Sequence, residues 1–423
     1  MSSSRLPQPR REATQRELTR RQIYRRRRIV VFGGLGLLLA SLIYLPLTLL
    51  APLHPAVVTV AAPEEPAPEV PALAFPGYGA SAIGAVGYPG VLAQSGVITP
   101  LPMASISKVI TALVVLEAHP LAVGESGPTA TMTPADAALY GSYLAQNGTV
   151  ANVRAGMTFT ELQLLELTLV KSANNYTMSM VLWAFGSQET FLAATNSWLS
   201  AHGLTGIVMV EPTGINPANV APADQLVELG RIALEHPVIA DIVNRKTADI
   251  PQVGVLPNTN ELLGINGVDG IKTGTLDHFG ANLLFSADYT VGESTVTVIG
   301  VVLGGPNHDV IDSDILTLLG TVVGNFTEVE VAAGDEPFAT YETAWGDTSQ
   351  AVAAERTTLL TWAGAPITTQ VETDEVRIGD AGDDVGGVTF TSGPMSVTVD
   401  LELAVDLDDP GPWWRLTNPA ELF

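Results

Sequence analysis

Ile29–Leu53 runs for 25 positions without a charged residue, interrupted only by the polar side chains of Ser41, Tyr44 and Thr48. As a helix it would be about 37 Å long, enough to cross a hydrocarbon layer of roughly 30 Å with some tilt. Beyond it, 77–96 reads as two short strands around the turn Tyr88-Pro89-Gly90. Val109, Ile110, Leu113 and Leu116 then recur at helical spacing, predicting a helix that Ser105 opens and that runs to about Glu117. Residues 124–156 are rich in Gly, Pro, Thr and Ala, with one short helix expected among them. Thr158-x-x-Glu161 reads as a capping box in front of Leu162, Leu165 and Leu169, so a second helix is expected to about Lys171. Further helices follow around Met178–Phe185, over 188–202 with Gly203 as the stop, and near 223–236.

The period then changes. Val268–Thr273, Asn282–Tyr289 and Thr295–Leu303 are strand-like runs with short links, which predicts an antiparallel meander covered by a helix near 309–324. Strands, then helices, then strands again make this an α+β pattern, an antiparallel sheet with a helical subdomain. Past Asn325, Met395, Val397, Val399, Leu401, Leu403 and Val405 alternate with mostly polar residues. With 329–342, 356–362, 366–377 and 387–391, they suggest a small β-sandwich-like domain. The expected layout is therefore a tail over 1–28, a spanning segment over 29–53 and a Pro/Ala-rich linker over 54–75. A catalytic-sized domain over 76–325 and a β-rich domain over 326–423 follow. The linker, with Glu64, Glu65 and Glu69, cannot bury a core and is expected to act as a semi-extended spacer.

Charge orients this layout. Residues 1–28 hold ten Arg against Glu12 and Glu17, whereas the rest of the chain carries 42 acidic and ten basic residues. Basic residues crowd only the N-terminal flank of the apolar run, so the tail should stay cytoplasmic and the remainder should be extracytoplasmic. A cleavable signal peptide would be shorter and followed by a small-x-small site; an uncleaved anchor fits better. The acidic exported part argues against nucleic acid as a partner. The chain has no Cys, which removes disulfides and thiolate zinc sites, and its six His show no metal-like spacing.

Candidate chemistry lies in three short motifs. Ser105-Ile-Ser-Lys108 is followed 67 residues later by Ser172-Ala-Asn174, and Lys272-Thr273-Gly274-Thr275 comes a further 100 residues on. Positions i and i+3 share a helix face, so Ser105 and Lys108 should point the same way at a helix N-terminus. A serine hydroxyl is a poor nucleophile until a base takes its proton. Lys108 can do so only when neutral, which requires its pKa to fall from about 10.4 toward neutrality. Burial and a neighbouring cation, here assigned to Lys272, would both act that way. Ser172 could pass a proton between Lys272 and a leaving group, and the Asn174 amide could hold a peptide group of a substrate. Thr273, Gly274 and Thr275 would lie on a strand whose edge pairs with an extended peptide, Gly274 removing the Cβ that would block the approach. The backbone N–H groups of Ser105 and Thr275 would form an oxyanion hole.

These motifs resemble those of penicillin-binding proteins and serine β-lactamases. Their surroundings are similar to the D-alanyl-D-alanine carboxypeptidase family of low-molecular-mass penicillin-binding proteins. The similar stretches are Pro102–Thr111, Glu211-Pro-Thr-Gly-Ile-Asn-Pro217, Asn258-Thr-Asn-Glu-Leu-Leu263 and Gly267-Val-Asp-Gly-Ile-Lys-Thr-Gly274, and the likeness covers about 76–325. It implies a membrane-anchored peptidase acting outside the membrane on peptidoglycan stem peptides that end in D-Ala-D-Ala. Ser105 would form the acyl-enzyme, β-lactams would acylate the same hydroxyl, and the resemblance implies that no metal or organic cofactor is needed.

One departure stands out. Family members usually carry a basic residue after the last core strand to hold the substrate carboxylate, yet no Lys or Arg occurs between Lys272 and Arg356. Lys272, Thr273 and Thr275, with His308 nearby, would have to hold it. A class A β-lactamase would need a Glu-x-x-Leu-Asn element between Asn174 and Lys272; none is present. A D,D-endopeptidase or transpeptidase stays open as an alternative, as does a non-catalytic wall-binding protein, although three intact motifs argue against the latter.

Overall fold

The computed structural model describes residues 20–61 and 72–423. The basic tail up to residue 19 and the linker residues 62–71 lie outside the described residues.

A long helix, Arg20–Leu49, contains the apolar run, and its apolar side chains face outward along its length. The helix includes the arginine-rich residues 20–28 ahead of the apolar run, arginine being a good helix former.

The sheet expected from the meander has five antiparallel strands in the order Val268–Leu276, Gly280–Val291, Ser294–Gly305, Ala80–Ala85 and Ala93–Gly96. The helix His308–Val323 buries Ile311, Ile315, Leu318 and Leu319 on one face of it. Ala223–Glu235 and Pro237–Val243 cover the other. A helical layer of Pro134–Leu144, Glu161–Leu169, Asn174–Phe185 and Gln188–Ala201 packs around Ser107–Ala118, ten of whose 12 residues are buried. That helix is apolar almost all round, as a central core helix must be.

Three details differ from the sequence-based expectations. Thr158–Thr160 is a strand paired with Thr129–Thr131, so the cap of Glu161–Leu169 is Thr160. Gln163, not Glu161, closes that capping box, and Glu161 is turned inward and buried. The hairpin Thr247–Ile250/Gly254–Pro257 and the helix Pro237–Val243 are additional elements with short, weakly periodic sequences. The largest difference concerns the linker. Val57–Val60, expected within a free spacer, is an edge strand paired antiparallel with Pro337–Glu342.

The β-rich part is accordingly a six-stranded sheet ordered Val57–Val60, Pro337–Glu342, Thr348–Ala353, Met395–Leu403, Asp384–Ser392 and Thr368–Thr373. A two-stranded sheet of Phe326–Ala332 and Thr357–Trp362 packs against it. The valine-rich sequence Val57-Val-Thr-Val60 suits an edge strand by composition, and the linker glutamates Glu64, Glu65 and Glu69 come only after it.

Candidate active site

A cleft of about 630 Å³ opens between the helical layer and the Val268–Leu276 edge of the sheet. Ser105, Ser172, Asn174, Thr273, Gly274 and Thr275 all line it. Lys108 and Lys272 lie behind them, 0% and 1% exposed. Residues spread over 170 positions of sequence thus meet in one place.

Ser105 sits in a single 3-10 turn, Ala104–Ile106, which leads directly into Ser107–Ala118. Ala104 takes a left-handed conformation with φ 51°, rare for a residue bearing a Cβ, and this aims the turn at the cleft. The turn is gripped from two sides. A Cβ on Gly214 would come within 1.8 Å of the Ala104 carbonyl oxygen, and one on Gly274 would meet Ala104 Cβ at 2.9 Å and Met103 O at 3.0 Å. Gly274 therefore makes room for the protein's own nucleophile turn. The sequence-based reason, access for substrate, is not what its surroundings require.

Lys108 Nζ has three neighbours, each at 2.7 Å: Ser105 Oγ, Asn174 Oδ1 and the carbonyl of Thr213. The Asn174 and Thr213 oxygens can only accept, so each takes an N–H from Nζ. A neutral amine has two N–H groups and one lone pair. With both N–H groups committed, the lone pair faces Ser105 Oγ, the arrangement a general base needs. The same contact turns the Asn174 Nδ2 group the other way, toward Gly148 at the cleft wall.

Electrostatics support a neutral Lys108. Burial holds its ammonium form well below the usual lysine range, the charge of Lys272 pushes the same way, and Glu211 opposes both. Desolvation leads, whereas the sequence reading gave the neighbouring cation equal standing. Lys272 is itself pushed down to about 7 by burial. Its Nζ donates to Thr259 Oγ1 at 3.4 Å, and Thr259 shares a 2.5 Å hydrogen bond with Thr273 Oγ1. Asn260 fixes this corner by donating to the Gly270 carbonyl at 2.9 Å. Ser172 adopts φ 63° at the junction of two helices, and Asn175 clamps the backbone of Ala151 through both of its amide atoms. At the mouth, Asn147 Nδ2 donates to Asp277 Oδ2 at 2.9 Å, joining the two cleft walls.

Two residues given no firm role in the sequence reading matter here. His308 Nε2 lies 2.8 Å from Thr275 Oγ1 on the cleft wall, and burial together with Lys272 lowers its pKa. Glu211 is the other. Its carboxylate accepts from Thr213 N and Oγ1, both at 2.7 Å, from Gly214 N at 2.6 Å and from Asn219 Nδ2 at 3.1 Å. Asn219 continues to Ser107 Oγ at 3.0 Å. One buried carboxylate thereby shapes the loop whose Thr213 carbonyl holds Lys108 and whose Gly214 packs on the Ser105 turn. Only the Glu-Pro-Thr-Gly spacing signalled it in the sequence. Replacing Glu211 with Gln points an amide at several fixed donors, each costing about 1–3 kcal/mol when left unpaired. We expect Ser105 acylation by benzylpenicillin to slow at least about tenfold and the thermal midpoint to drop. Stopped-flow acylation beside a thermal melt checks this, and acylation at the unaltered rate would remove Glu211 from the account.

No group of three or more His, Asp or Glu suited to a metal occurs among the described residues.

A peptidase family model described as D-alanyl-D-alanine carboxypeptidase matches residues 89–307. The D-alanyl-D-alanine carboxypeptidase DacC of Escherichia coli is 28% identical over 265 residues, covering 62% of this chain and 64% of that protein. The chain thus spans slightly under two thirds of this curated relative. A D-alanyl-D-alanine endopeptidase of Pseudomonas aeruginosa is 29% identical over 140 residues, 33% of this chain and 42% of that protein. Among solved structures, penicillin-binding protein 5 of Haemophilus influenzae superimposes with a TM-score of 0.55 at 18% identity, covering 80% of this chain and 99% of that one. It shares the fold, including the added β-rich domain.

Proposed function

Because the chain belongs to the D-alanyl-D-alanine carboxypeptidase family, we propose that it removes the terminal D-alanine from peptidoglycan stem peptides through an acyl-enzyme on Ser105. The observation that carries this reading is the buried Lys108 amine, 2.7 Å from Ser105 Oγ with two acceptors fixing its N–H groups. Lys108 takes the hydroxyl proton as Oγ attacks the carbonyl of the penultimate D-alanine. The backbone N–H groups of Ser105 and Thr275 hold the oxyanion. Ser172, which lines the cleft, gives its proton to the departing amine of the terminal D-alanine and is reprotonated by the Lys272 ammonium. Lys108 passes on to Lys272 the proton it took from Ser105, so that Lys108 is again an amine and Lys272 again an ammonium before the next step. Water then attacks the ester, Lys108 again acting as base, and Ser105 regains its proton. The Asn174 Nδ2 group, with its Oδ1 committed to Lys108, donates to the substrate peptide. β-Lactams acylate Ser105 by the same attack, opening the lactam ring.

The long apolar helix anchors the catalytic region at the outer face of a membrane. Its outward-facing apolar side chains and the arginines of its first turns support that topology.

The substrate carboxylate meets Lys272, Thr273, Thr275 and His308 in place of a permanent cation. With its pKa lowered, His308 is neutral at pH 7 and hydrogen-bonds without adding charge. Placing a guanidinium there by His308→Arg should lower KM for a D-Ala-D-Ala pentapeptide about tenfold, the worth of one charge-assisted bond. Steady-state D-alanine release reads this out, and an unchanged KM would take His308 out of the carboxylate subsite.

The weakly basic subsite also favours a second reading, cleavage of cross-links, whose scissile D-alanyl bond is not followed by a terminal D-alanine carboxylate. Incubating the full chain with pentapeptide and with cross-linked dimer, then comparing products by mass, separates the two. Predominant D-alanine release supports the carboxypeptidase; predominant dimer cleavage replaces it.

A further inference from the structure

The C-terminal segment returns to the anchor helix. Tyr44 Oη donates to the Leu416 carbonyl at 2.7 Å, a contact across 372 residues of sequence. Tyr44 lies five residues before the helix end at Leu49, about 7.5 Å down the axis. The apolar stretch of that helix from Ile29 to Leu49 is about 31 Å long, close to the hydrocarbon thickness it would cross. A segment touching Tyr44 therefore reaches the outer edge of the hydrocarbon, just beneath the lipid headgroups. The chain leaving the helix is held to the same place. Arg415 Nη1 donates to the Ala51 carbonyl at 2.7 Å, and Arg377 Nε donates to the Leu53 carbonyl at 3.0 Å. Ala51, Leu53 and Leu422 form a small core against Trp345 and Trp414.

Around this junction three large apolar side chains face outward: Leu50 is 82% exposed, Trp413 78% and Phe423 74%. Trp413 belongs to the short helix Gly411–Thr417 that carries Leu416. Such side chains are costly in water and favoured in the interfacial layer of a bilayer, where tryptophan in particular concentrates. The charges nearby are Asp406, Asp408, Asp409, Glu421 and Glu375 against Arg415, bonded to Asp409 at 2.6 Å, and Arg377, paired with Glu375 at 3.8 Å, an acidic balance. That balance offers no attraction to anionic headgroups.

We propose that Leu50, Trp413 and Phe423 form a lipid-binding surface that seats the C-terminal β domain on the outer leaflet around the anchor. The partner is the bilayer interface, engaged by inserted rings and not by charge. With Val57–Val60 built into the same domain, this domain is clamped to the membrane directly after the helix. The inference rests on the anchor reading given above.

The absence of native Cys allows single-site labelling of the full chain. Spin labels on Cys placed at Trp413, Phe423, Leu42 and Glu372 are compared in phosphatidylcholine nanodiscs, with and without phosphatidylglycerol. Accessibility to oxygen and to a water-soluble nickel chelate gives depth. Labels at 413 and 423 should be several-fold better protected from nickel than the one at 372, and shallower than the one at 42. Added phosphatidylglycerol or salt should leave these depths unchanged. Aqueous values at 413 and 423 with a buried label at 42 would overturn the surface while leaving the anchor standing. An aqueous label at 42 would remove the anchor and the surface together. Depths at 413 and 423 that increase only with phosphatidylglycerol would overturn insertion by rings.

Discussion

Replacing Ser105 with Ala should abolish the covalent benzylpenicillin adduct, an acylation loss of at least about 10⁴-fold. Among the described residues, Ser105 is the cleft hydroxyl held at 2.7 Å by a buried amine, Lys108 Nζ; the other buried amine, Lys272, reaches Thr259 Oγ1 only at 3.4 Å. An alanine keeps the 3-10 turn, because the conformation at Ala104 and the packing of Gly214 and Gly274 do not involve Oγ. The variant should fold and still bind ligand reversibly, so the loss falls on the chemical step. Intact mass after incubation reads it out. An undiminished adduct in the Ala variant would place the nucleophile elsewhere.

Lys108→Ala should slow acylation by about 10²–10⁴-fold, the usual worth of a positioned base. It should also change the shape of the pH profile. A lysine whose pKa is depressed by burial is protonated, and useless as a base, below its folded pKa. Wild-type acylation should therefore rise with pH through that value. Lys272, pushed down to about 7, loses its charge as pH climbs past that point, which weakens carboxylate binding and sets an alkaline limb. In Lys108→Ala the acid limb should vanish, leaving a low and nearly flat residual rate on that side. A surviving acid limb would assign it to another group.

The catalytic fold was legible because its signals are redundant. Val109, Ile110, Leu113 and Leu116 define a core helix, and three adjacent strand-like runs with short links leave little choice but a meander. The three motifs could be placed because each lies at an element end, where local pattern and chemistry coincide. What escaped depended on partners remote in sequence. Val57–Val60 has strand composition, but nothing local says that its partner lies 280 residues away at Pro337–Glu342. Thr158 looked like a cap until its neighbours paired with Thr129–Thr131 and shifted the cap to Thr160. Gly274 was assigned an open approach, yet the space it preserves is filled by Met103–Ser105. Glu211 could not be valued in advance, because its five donors, backbone and side-chain, are gathered only by the folded loop.

The mechanism requires that Lys108 be an amine when Ser105 reacts. Nitrogen-15 spectra of the full chain labelled at lysine side chains, with the Lys108 signal identified by its loss in Lys108→Arg, follow that nitrogen directly through a pH titration. The Lys108 signal should convert from ammonium to amine well below the range of an ordinary lysine. A Lys108 that stays an ammonium ion until about pH 10.4 would contradict the mechanism.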